Sequence, residues 1–378
     1  MIDFGLSDDQ AALQRAAREL LAAECPPALV RETGASADGV PHGLCRTIAA
    51  QGWLGVLVPE RLGGSGLGTL ELALLCEELG RVAAPGPFLA TQLVIAALVR
   101  AGSAAQRTAW LPRLVAGEAV GTLAHLEESD RHDAGGVALR ARKARGGWVL
   151  SGRKCFVPEA QAADLLLVAA RSRAGSGERG VSLFLVERGT AGVRVVPRRT
   201  MDPTRRTGEL VLDEVAVPAG ALLGAEGETW PLLERLCDLA CVAIAADSLG
   251  GAQRVLEMAV DYSRVRHQFG RPIGSFQAIK HIAAEMVADV EPARSLVWWS
   301  AWTQDARPKE AARAASMAKA SLGDVYSRTA RRSVEIHGGI GFTWEFDLQL
   351  WFKRAHASEL AFGDPVWHRE RVARLDGY

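Results

Sequence analysis

The chain has 378 residues, and its 44 Lys and Arg residues balance its 44 Asp and Glu residues, so the formal net charge is zero. This length allows two or three packed units, but zero net charge argues against bulk binding to nucleic acid or a membrane surface. The start, MIDFGLSDDQ, does not resemble a secretory signal, and the apolar run 240–246 is too short to cross a bilayer. The six cysteines include no C-x-x-C pair, and no histidine cluster joins them, so we expect a cytoplasmic protein with reduced thiols and no metal site.

The first 120 residues carry the pattern of helices. Ser7 to Gln10 form a capping-box sequence that opens an amphipathic run to about Ala23. Two further segments, HGLCRTIAAQ and TLELALLCEELG, have apolar residues at helical spacing. The glycine-rich stretch between them lacks the Lys-Ser/Thr ending of a P-loop and is interpreted as a connector.

Near residue 120 the apolar period changes from that of helices to that of strands. The segment VALRARKARGGWVLSGRKCFV predicts a hairpin that turns at Gly146-Gly147, and further short strands follow. From about Thr229 the helical period returns. The predicted domains are therefore a helical domain over 1–120, a β domain over 121–222 and a helical domain over 223–378.

Three arginines surround a Gln-Phe-Gly turn in RVRHQFGRPIGSFQ, residues 264–277, and the next helix is expected to start near Ser275. A solvated surface corner would explain them. So would a bound phosphate, because arginine forks match phosphate oxygens and helix N-termini attract anions. Residues 337–342, HGGIGF, interrupt the second helical half, where glycine suits a helix end or close approach of a ligand.

At these segments the chain resembles the flavin-dependent acyl-CoA dehydrogenases. The likeness lies in GWLGVLVPERLGGSGLG, GSAAQRTAWLPRLVAGE, YSRVRHQFGRPIGSFQAIKHIAAEM and HGGIGFTWEFDLQL, and it extends over essentially the whole chain. The resemblance implies an α+β fold with a helical N-terminal domain, a β-barrel-like middle domain and a C-terminal four-helix-type bundle. Within this family, the chain resembles the degenerate subunits of actinobacterial heteromeric acyl-CoA dehydrogenases.

The resemblance also implies FAD, shared across a subunit interface so that its ADP half meets the arginine turn while its flavin ring lies in the neighbouring subunit. Arg266 would pair with the pyrophosphate, and Glu335 stands where a glutamine is usual, which adds a repulsive charge. The residues implied to contact the cofactor are Arg266, Gln268, Phe269, Gln277, Glu335, Gly338 and Gly339.

No catalytic residue is assigned, because both positions that carry the base in this family are occupied by residues that cannot accept a proton. The usual glutamate is matched by Phe362, and the alternative position is matched by Ala240. Asp247, two helical turns after Ala240, and Asp364 are the candidates for a relocated base. Each is also explained as an ordinary capping or ion-pairing carboxylate.

The side of the site that faces the flavin ring departs from the family too. The family's Trp-Ile-Thr/Ser element, whose hydroxyl meets the flavin, is matched by Phe156, Val157 and Pro158, and proline offers neither a hydroxyl nor an N–H. The loop beside it is replaced by HLEESDRHD, residues 125–133.

Three hypotheses follow. In the first, the chain is a subunit without a base that contributes ADP-side contacts to a homologous catalytic partner in a hetero-oligomer, such as a heterotetramer. In the second, it is a self-sufficient homo-oligomeric acyl-CoA dehydrogenase with a relocated base such as Asp247. In the third, it is a scaffold or binding protein without enzymatic activity. The resemblance implies an acyl-CoA substrate, in fatty acid or steroid side-chain degradation, and an electron-transfer flavoprotein as partner; the acyl group is not identified.

Overall fold

The computed structural model describes residues 5–378, so the first four residues of the predicted N-terminal domain lie outside it. Contacts between Cα atoms divide the chain into two compact units. The first comprises the described residues up to Arg31 together with Gly68–Ala84 and Asp238–Tyr378, and the second comprises Glu32–Leu67 and Pro85–Cys237. The domain boundaries at residues 120 and 222 stay predictions. Within 5–378, the structure contains no helix with the length and apolar character that crossing a membrane requires.

Helices precede and follow a block of strands. The helices are α1 Asp8–Glu24, α2 Pro27–Ala35, α3 His42–Ala50, α4 Thr69–Arg81, α5 Phe88–Ala101, α6 Ala104–Val115, α7 Trp230–Val265, α8 Gln277–Ala306, α9 Ala311–His337, α10 Leu348–Leu360 and α11 Pro365–Leu375. The strands are β1 Gly121–Ala124, β2 Arg140–Ala144, β3 Gly147–Pro158, β4 Leu165–Arg171, β5 Val181–Glu187, β6 Val193–Arg198, β7 Thr207–Pro218, β8 Leu222–Leu223, β9 His267–Gln268 and β10 Arg271–Pro272. This order confirms the predicted α+β fold.

The first helix begins as the sequence predicts. The Ser7 side chain accepts a hydrogen bond from the Gln10 amide at 3.2 Å, and the Gln10 side chain accepts one from the Ser7 amide at 3.0 Å. This reciprocal pair satisfies two amide groups that have no acceptor within a helix. The capping box is therefore confirmed.

The strands of the second unit form one sheet in the order β6-β7-β3-β2-β4-β5-β8, with β1 parallel to β4. The predicted hairpin is confirmed: β2 and β3 pair antiparallel around Gly146, whose φ of +81° suits glycine. Trp148 and Phe184 pack edge to face in its core, with ring centroids 5.3 Å apart. Strands β6 and β8 are the two ends of this sheet and do not pair with each other. Among the described strands, the domain predicted to be barrel-like is therefore an open sheet and not a closed barrel.

Within the first unit, helix α4 and the part of α7 after Cys237 pass unusually close to each other. A Cβ atom on Gly80 would lie 1.9 Å from the carbonyl oxygen of Asp247, and one on Gly250 would lie 1.8 Å from that of Glu77. Each glycine therefore faces the backbone of the other helix, and no larger residue fits at either point. Elsewhere in this unit, α9 packs against α8, α10 and α11.

Candidate functional site

The arginine turn is a tight hairpin between two long helices. Strands β9 and β10 pair antiparallel, and the residues that join them, Phe269 and Gly270, have φ of +54° and +81°. Positive φ at both positions is what a two-residue hairpin of the favoured twist requires. The chain then passes through a short 3-10 helix, and α8 begins at Gln277, two residues later than the expected Ser275.

Arg266 presents an unpaired cation at this turn. Its side chain is exposed, and within 5–378 its guanidinium makes no hydrogen bond or ion pair. The two neighbouring arginines differ: Arg264 lies 3.7 Å from Asp261, and the Arg271 guanidinium lies 4.2 Å from the centre of the Phe276 ring. Of these three arginines, Arg266 is therefore the one whose guanidinium has no partner within residues 5–378.

The other predicted cofactor residues near this turn are exposed as well. Gln268 and Gln277 are exposed, and 91% of the surface of Phe269 is accessible. Gln277 is the first residue of a 30-residue helix whose first-turn amides have no acceptor within the helix. The N-terminus of α8 thus adds partial positive charge beside Arg266.

The glycine turn follows directly from the end of α9. Gly338 has φ of +63°, and a Cβ atom added to Gly338 or Gly339 would meet no atom within 4 Å. The space above both residues is open. Glu335, on the last turn of α9, is exposed, and its carboxylate has no partner in the described part of the chain.

A small apolar core joins the elements that carry these residues. It contains Leu256 and Ala259 of α7, Met286 of α8 and Ile336 of α9. The structure therefore brings together the end of α7, the start of α8 and the end of α9. We call the residues that these ends present the cradle, which consists of Arg266, Gln268, Phe269, Gln277, Glu335, Gly338 and Gly339.

Neither base position holds a proton acceptor. Ala240 is fully buried in α7. Phe362 lies in the turn between α10 and α11 with φ of +58°, and its carbonyl oxygen is 3.1 Å from Nε2 of His368. The Lys319 ammonium fixes the same turn by donating to the carbonyl oxygens of Glu359 at 2.9 Å and Gly363 at 2.8 Å. Burial lowers the pKa of Lys319 to about 8.

Both candidates for a relocated base have structural partners. Asp247 is buried and pairs with Arg354, with Nε donating to Oδ1 at 3.0 Å and Nη2 to Oδ2 at 2.5 Å. Arg354 also donates to the carbonyl oxygen of Ala84 at 2.9 Å. Asp364 caps α11 by accepting from the amide of Trp367 at 2.7 Å. Both carboxylates therefore serve the ion-pairing and capping roles that the sequence also allowed.

The segment Phe156 to Pro158 lies at an irregularity of β3. The pairing register with β7 shifts between Lys154 and Val157, and Phe156 is exposed with φ of +50°. Val157 is buried, and the Pro158 carbonyl accepts a hydrogen bond from the Thr122 hydroxyl. The element thus presents a phenyl ring and no hydroxyl group to its surroundings.

The replaced loop 125–133 is tied to β3 through a lysine that the sequence analysis missed. Lys154 is completely buried, and its ammonium donates to Glu127 Oε1 at 2.6 Å and to the His125 carbonyl at 3.0 Å. Burial lowers its pKa to about 8, although Glu127 opposes the shift. The same Glu127 oxygen accepts from the amides of Ala138 and Leu139, both at 2.9 Å. A lysine in an alternating strand gives no sequence signal of this burial.

Glu159 is a second residue that the sequence analysis missed. It is 5% exposed, has φ of +48°, and exchanges hydrogen bonds with the backbone of Arg206. Its Oε2 is buried without a hydrogen-bond partner among the described residues. Burial is the main cause that raises its pKa to about 8. The sequence feature that could have drawn attention to Glu159 is its position directly after the Phe156-Val157-Pro158 element.

The family comparison covers nearly the whole chain. Models for the N-terminal, middle and C-terminal domains of acyl-CoA dehydrogenase match residues 7–118, 122–215 and 230–375. An acyl-CoA dehydrogenase of Bacillus subtilis is 31% identical over 95% of this chain and 95% of its own. The acyl-CoA dehydrogenase IpdE2 of Mycolicibacterium smegmatis is 32% identical over 98% of this chain and 99% of its own.

Solved structures superpose over the same extent. Butyryl-CoA dehydrogenase from Megasphaera elsdenii has a TM-score of 0.92 at 29% identity, covering 99% of each chain. A chain of the ChsE4-ChsE5 complex from Mycobacterium tuberculosis has a TM-score of 0.88 at 29% identity, covering 100% of each chain. PigA with FAD and proline has a TM-score of 0.92 at 25% identity and covers 100% of this chain and 99% of its own. This protein therefore belongs to the acyl-CoA dehydrogenase family.

Proposed function

We propose that this chain is one subunit of an FAD-dependent acyl-CoA dehydrogenase complex, in which it contributes the cradle to a homologous catalytic chain and has no base of its own. The observation that carries this proposal is the contrast between the two halves of the site. The cradle offers an exposed, unpaired Arg266, whereas both base positions, Phe362 and Ala240, lack any atom that could accept a proton.

The cradle has the donors that a dinucleotide diphosphate needs. Arg266 would hold the pyrophosphate of FAD by charge-assisted hydrogen bonds, and the N-terminus of α8 at Gln277 would favour the same negative charge. The open space over Gly338 and Gly339 would admit the nucleotide close to the backbone. The exposed carboxylate of Glu335 would oppose a diphosphate and weaken this half of the site. Solvent access to the cradle suits a ligand held mainly by another chain.

The chemistry requires a base in the partner. When bound, FAD supplies the flavin that accepts a hydride from the β-carbon of a CoA thioester. The α-proton must then pass to a positioned proton acceptor. Asp247 does not suit this role, because its two carboxylate oxygens already bind Arg354 in the interior. The glutamate would come from the catalytic chain, which would also hold the flavin ring.

Two of the relatives support the proposal that this chain binds FAD and acts in a hetero-oligomer. PigA has been solved with FAD, and ChsE4-ChsE5 is a complex of two differently named chains. By the same resemblance, the substrate would be an acyl-CoA and the electron acceptor an electron-transfer flavoprotein. The cradle residues are accordingly proposed to act in a hetero-oligomer such as a heterotetramer.

Co-expression tests the proposal. The chain is produced alone and together with a homologous chain that keeps the glutamate matching Phe362, and each preparation is measured for visible flavin absorbance and acyl-CoA oxidation. We expect a yellow, active complex that holds fewer FAD molecules than subunits, and an inactive isolated chain. Changing Phe362→Glu in the isolated chain should not create activity, since the hydroxyl contact to the flavin would still be lacking.

Two results would contradict this assignment. An active homo-oligomer with one FAD for each subunit would favour the self-sufficient enzyme with a relocated base. A colourless, inactive protein with every homologous chain that retains the glutamate would favour a scaffold without FAD.

A further inference from the structure

The ring of His337 lies at the centre of an aromatic stack beneath the cradle. Its centroid is 4.5 Å from that of Tyr262, with the rings inclined by 27°, and 5.0 Å from that of Phe346. Only 4% of its surface is accessible. Tyr262 is four residues before Arg266, and His337 is bonded directly to Gly338, so the stack connects the two segments that form the cradle.

One hydrogen bond fixes the ring in this place. Nδ1 lies 2.7 Å from the carbonyl oxygen of Ser333, one helical turn earlier, so the ring carries its proton on Nδ1. Nε2 is buried and has no hydrogen-bond partner within residues 5–378. The ring is therefore held by this one hydrogen bond and by its contacts with Tyr262 and Phe346.

The glycine turn is held locally by the Gly338 amide, which donates to the carbonyl oxygens of Val334 and Glu335, and by no side chain of its two glycines. Gly338 and Gly339 carry no side chains, and no atom lies within 4 Å of where a Cβ would stand. Gly338 also has a backbone conformation that glycine adopts at little cost. Beyond the turn, Arg31 anchors the chain by donating to the carbonyl oxygen of Trp344 at 2.5 Å and to Asp347 at 2.8 Å. Between that anchor and α9, the buried side chain next to the glycines is that of His337.

We propose that His337 is a positioning residue, which sets the place of Gly338 and Gly339 relative to Arg266 by stacking on Tyr262. This inference rests on the proposed function, because it assumes that the cradle receives the ADP half of the cofactor. It assigns to His337 no contact with the nucleotide. Losing the stack should let the glycine turn drift from the arginine turn and so weaken binding of a ligand that needs both.

Two substitutions separate the stack from the hydrogen bond. His337→Phe keeps an aromatic ring against Tyr262 but cannot donate to Ser333. His337→Asn can place an amide donor near the Nδ1 position but removes the ring. The probe is ADP, titrated by calorimetry into the flavin-free complex of this chain with its homologous catalytic chain, and the thermal melting of each variant complex is recorded in parallel.

We expect His337→Asn to weaken ADP binding by roughly three- to ten-fold, the scale of one aromatic pair, and His337→Phe to bind as wild type does. ADP affinity should depend on whether residue 337 carries an aromatic ring. It should not depend on which variant has the higher melting temperature. Equal affinity in all three proteins would overturn the inference, and so would a loss with His337→Phe as large as that with His337→Asn.

Arg266→Ala distinguishes failure of the inference from failure of the proposed function. If wild type binds ADP and Arg266→Ala binds it more weakly, the proposed role of the cradle is supported. The His337 variants then test the positioning role of His337. If wild type does not bind ADP, or Arg266→Ala binds it equally well, the proposed role of the cradle is wrong. The inference about His337 is then wrong as well. Tyr262→Leu, which removes the stacking partner, should reproduce the effect of His337→Asn.

Discussion

Asp247 and Arg354 form a buried ion pair in which each partner is almost fully shielded from solvent, with side-chain exposures of 4% and 2%. Removing one member leaves the other as an uncompensated buried charge. We expect Asp247→Asn to lower the free energy of unfolding by about 3–5 kcal/mol, measured by urea denaturation.

The matched control for this change is Asp289→Asn. Asp289 pairs with Arg328 and Arg332 where the side chains are partly exposed, so its loss should cost about 1 kcal/mol or less. Similar losses for the two variants would argue against a structural role for Asp247. A fall in turnover of about 100-fold or more in a stably folded Asp247→Asn complex would instead identify Asp247 as a base.

The second prediction concerns the unpaired cation of the cradle. Arg266→Ala should reduce FAD retention in the assembled complex, because a charge-assisted contact of about 1.5–3 kcal/mol is lost. Arg264→Ala is the control, since this arginine lies in the same turn but faces Asp261. The ratio of flavin to protein absorbance, measured after gel filtration under limiting FAD, should fall only for Arg266→Ala. Equal retention in the two variants would exclude Arg266 as a cofactor ligand.

Gly339 provides the third prediction. It has an ordinary backbone φ and open space where a Cβ would stand, so Gly339→Ala should leave the melting temperature of the chain nearly unchanged. The added methyl group would occupy the space through which the nucleotide approaches, and FAD retention should fall. Gly189→Ala is the control, because Gly189 also has ordinary φ and an open Cβ position but lies outside the cradle. If Gly339→Ala retains as much FAD as Gly189→Ala does, the nucleotide does not use the space above Gly339.

The fourth prediction is a pH dependence of stability. The pKa of Glu159 rises from its ordinary 4.5 to about 8 on folding, so the folded chain holds this proton where the unfolded chain has released it. The stabilisation from neutral Glu159 is complete below pH 4.5 and is lost progressively as the pH rises towards about 8, at a slope of up to about 1.4 kcal/mol per pH unit. Glu159→Gln, which is neutral throughout, should remove this slope.

Thermal melting of wild type and Glu159→Gln from pH 5 to pH 8 measures the difference. The gap in melting temperature should widen in favour of the variant as the pH rises. The charged and titratable neighbours that also act on Glu159 or respond to it are Arg205, Arg206, Asp202 and Cys45. Parallel melting curves across the range would contradict the burial of a neutral carboxyl group at this position.

Local patterns predicted local structure well. The capping box at Ser7 and the hairpin at Gly146 depend on residues a few positions apart, and both are present. The arginine turn was also visible, because three arginines and a glycine lie within eight residues. Its hairpin geometry, with Phe269 at positive φ, could not be read from a residue that rarely adopts that conformation.

Contacts between distant residues could not be predicted from a single sequence. Asp247 and Arg354 are 107 residues apart, and the sheet order places β7 beside β3 and β4 beside β2. Nothing in the alternation of β3 shows that Lys154 lies inside and meets Glu127. The stack of Tyr262 on His337 likewise joins positions 75 residues apart in the sequence, which only the packing of α7 against α9 determines.

The glycine contact of α4 with α7 restricts how the first unit can move. A slide of one helix along the other by a single residue would bring a Cβ atom against a backbone carbonyl at Gly80 or Gly250, where less than 2 Å is available. The close approach therefore opposes sliding of the two helices past each other at this contact. The arginine turn therefore projects from the end of a helix whose position along α4 is fixed by backbone contact.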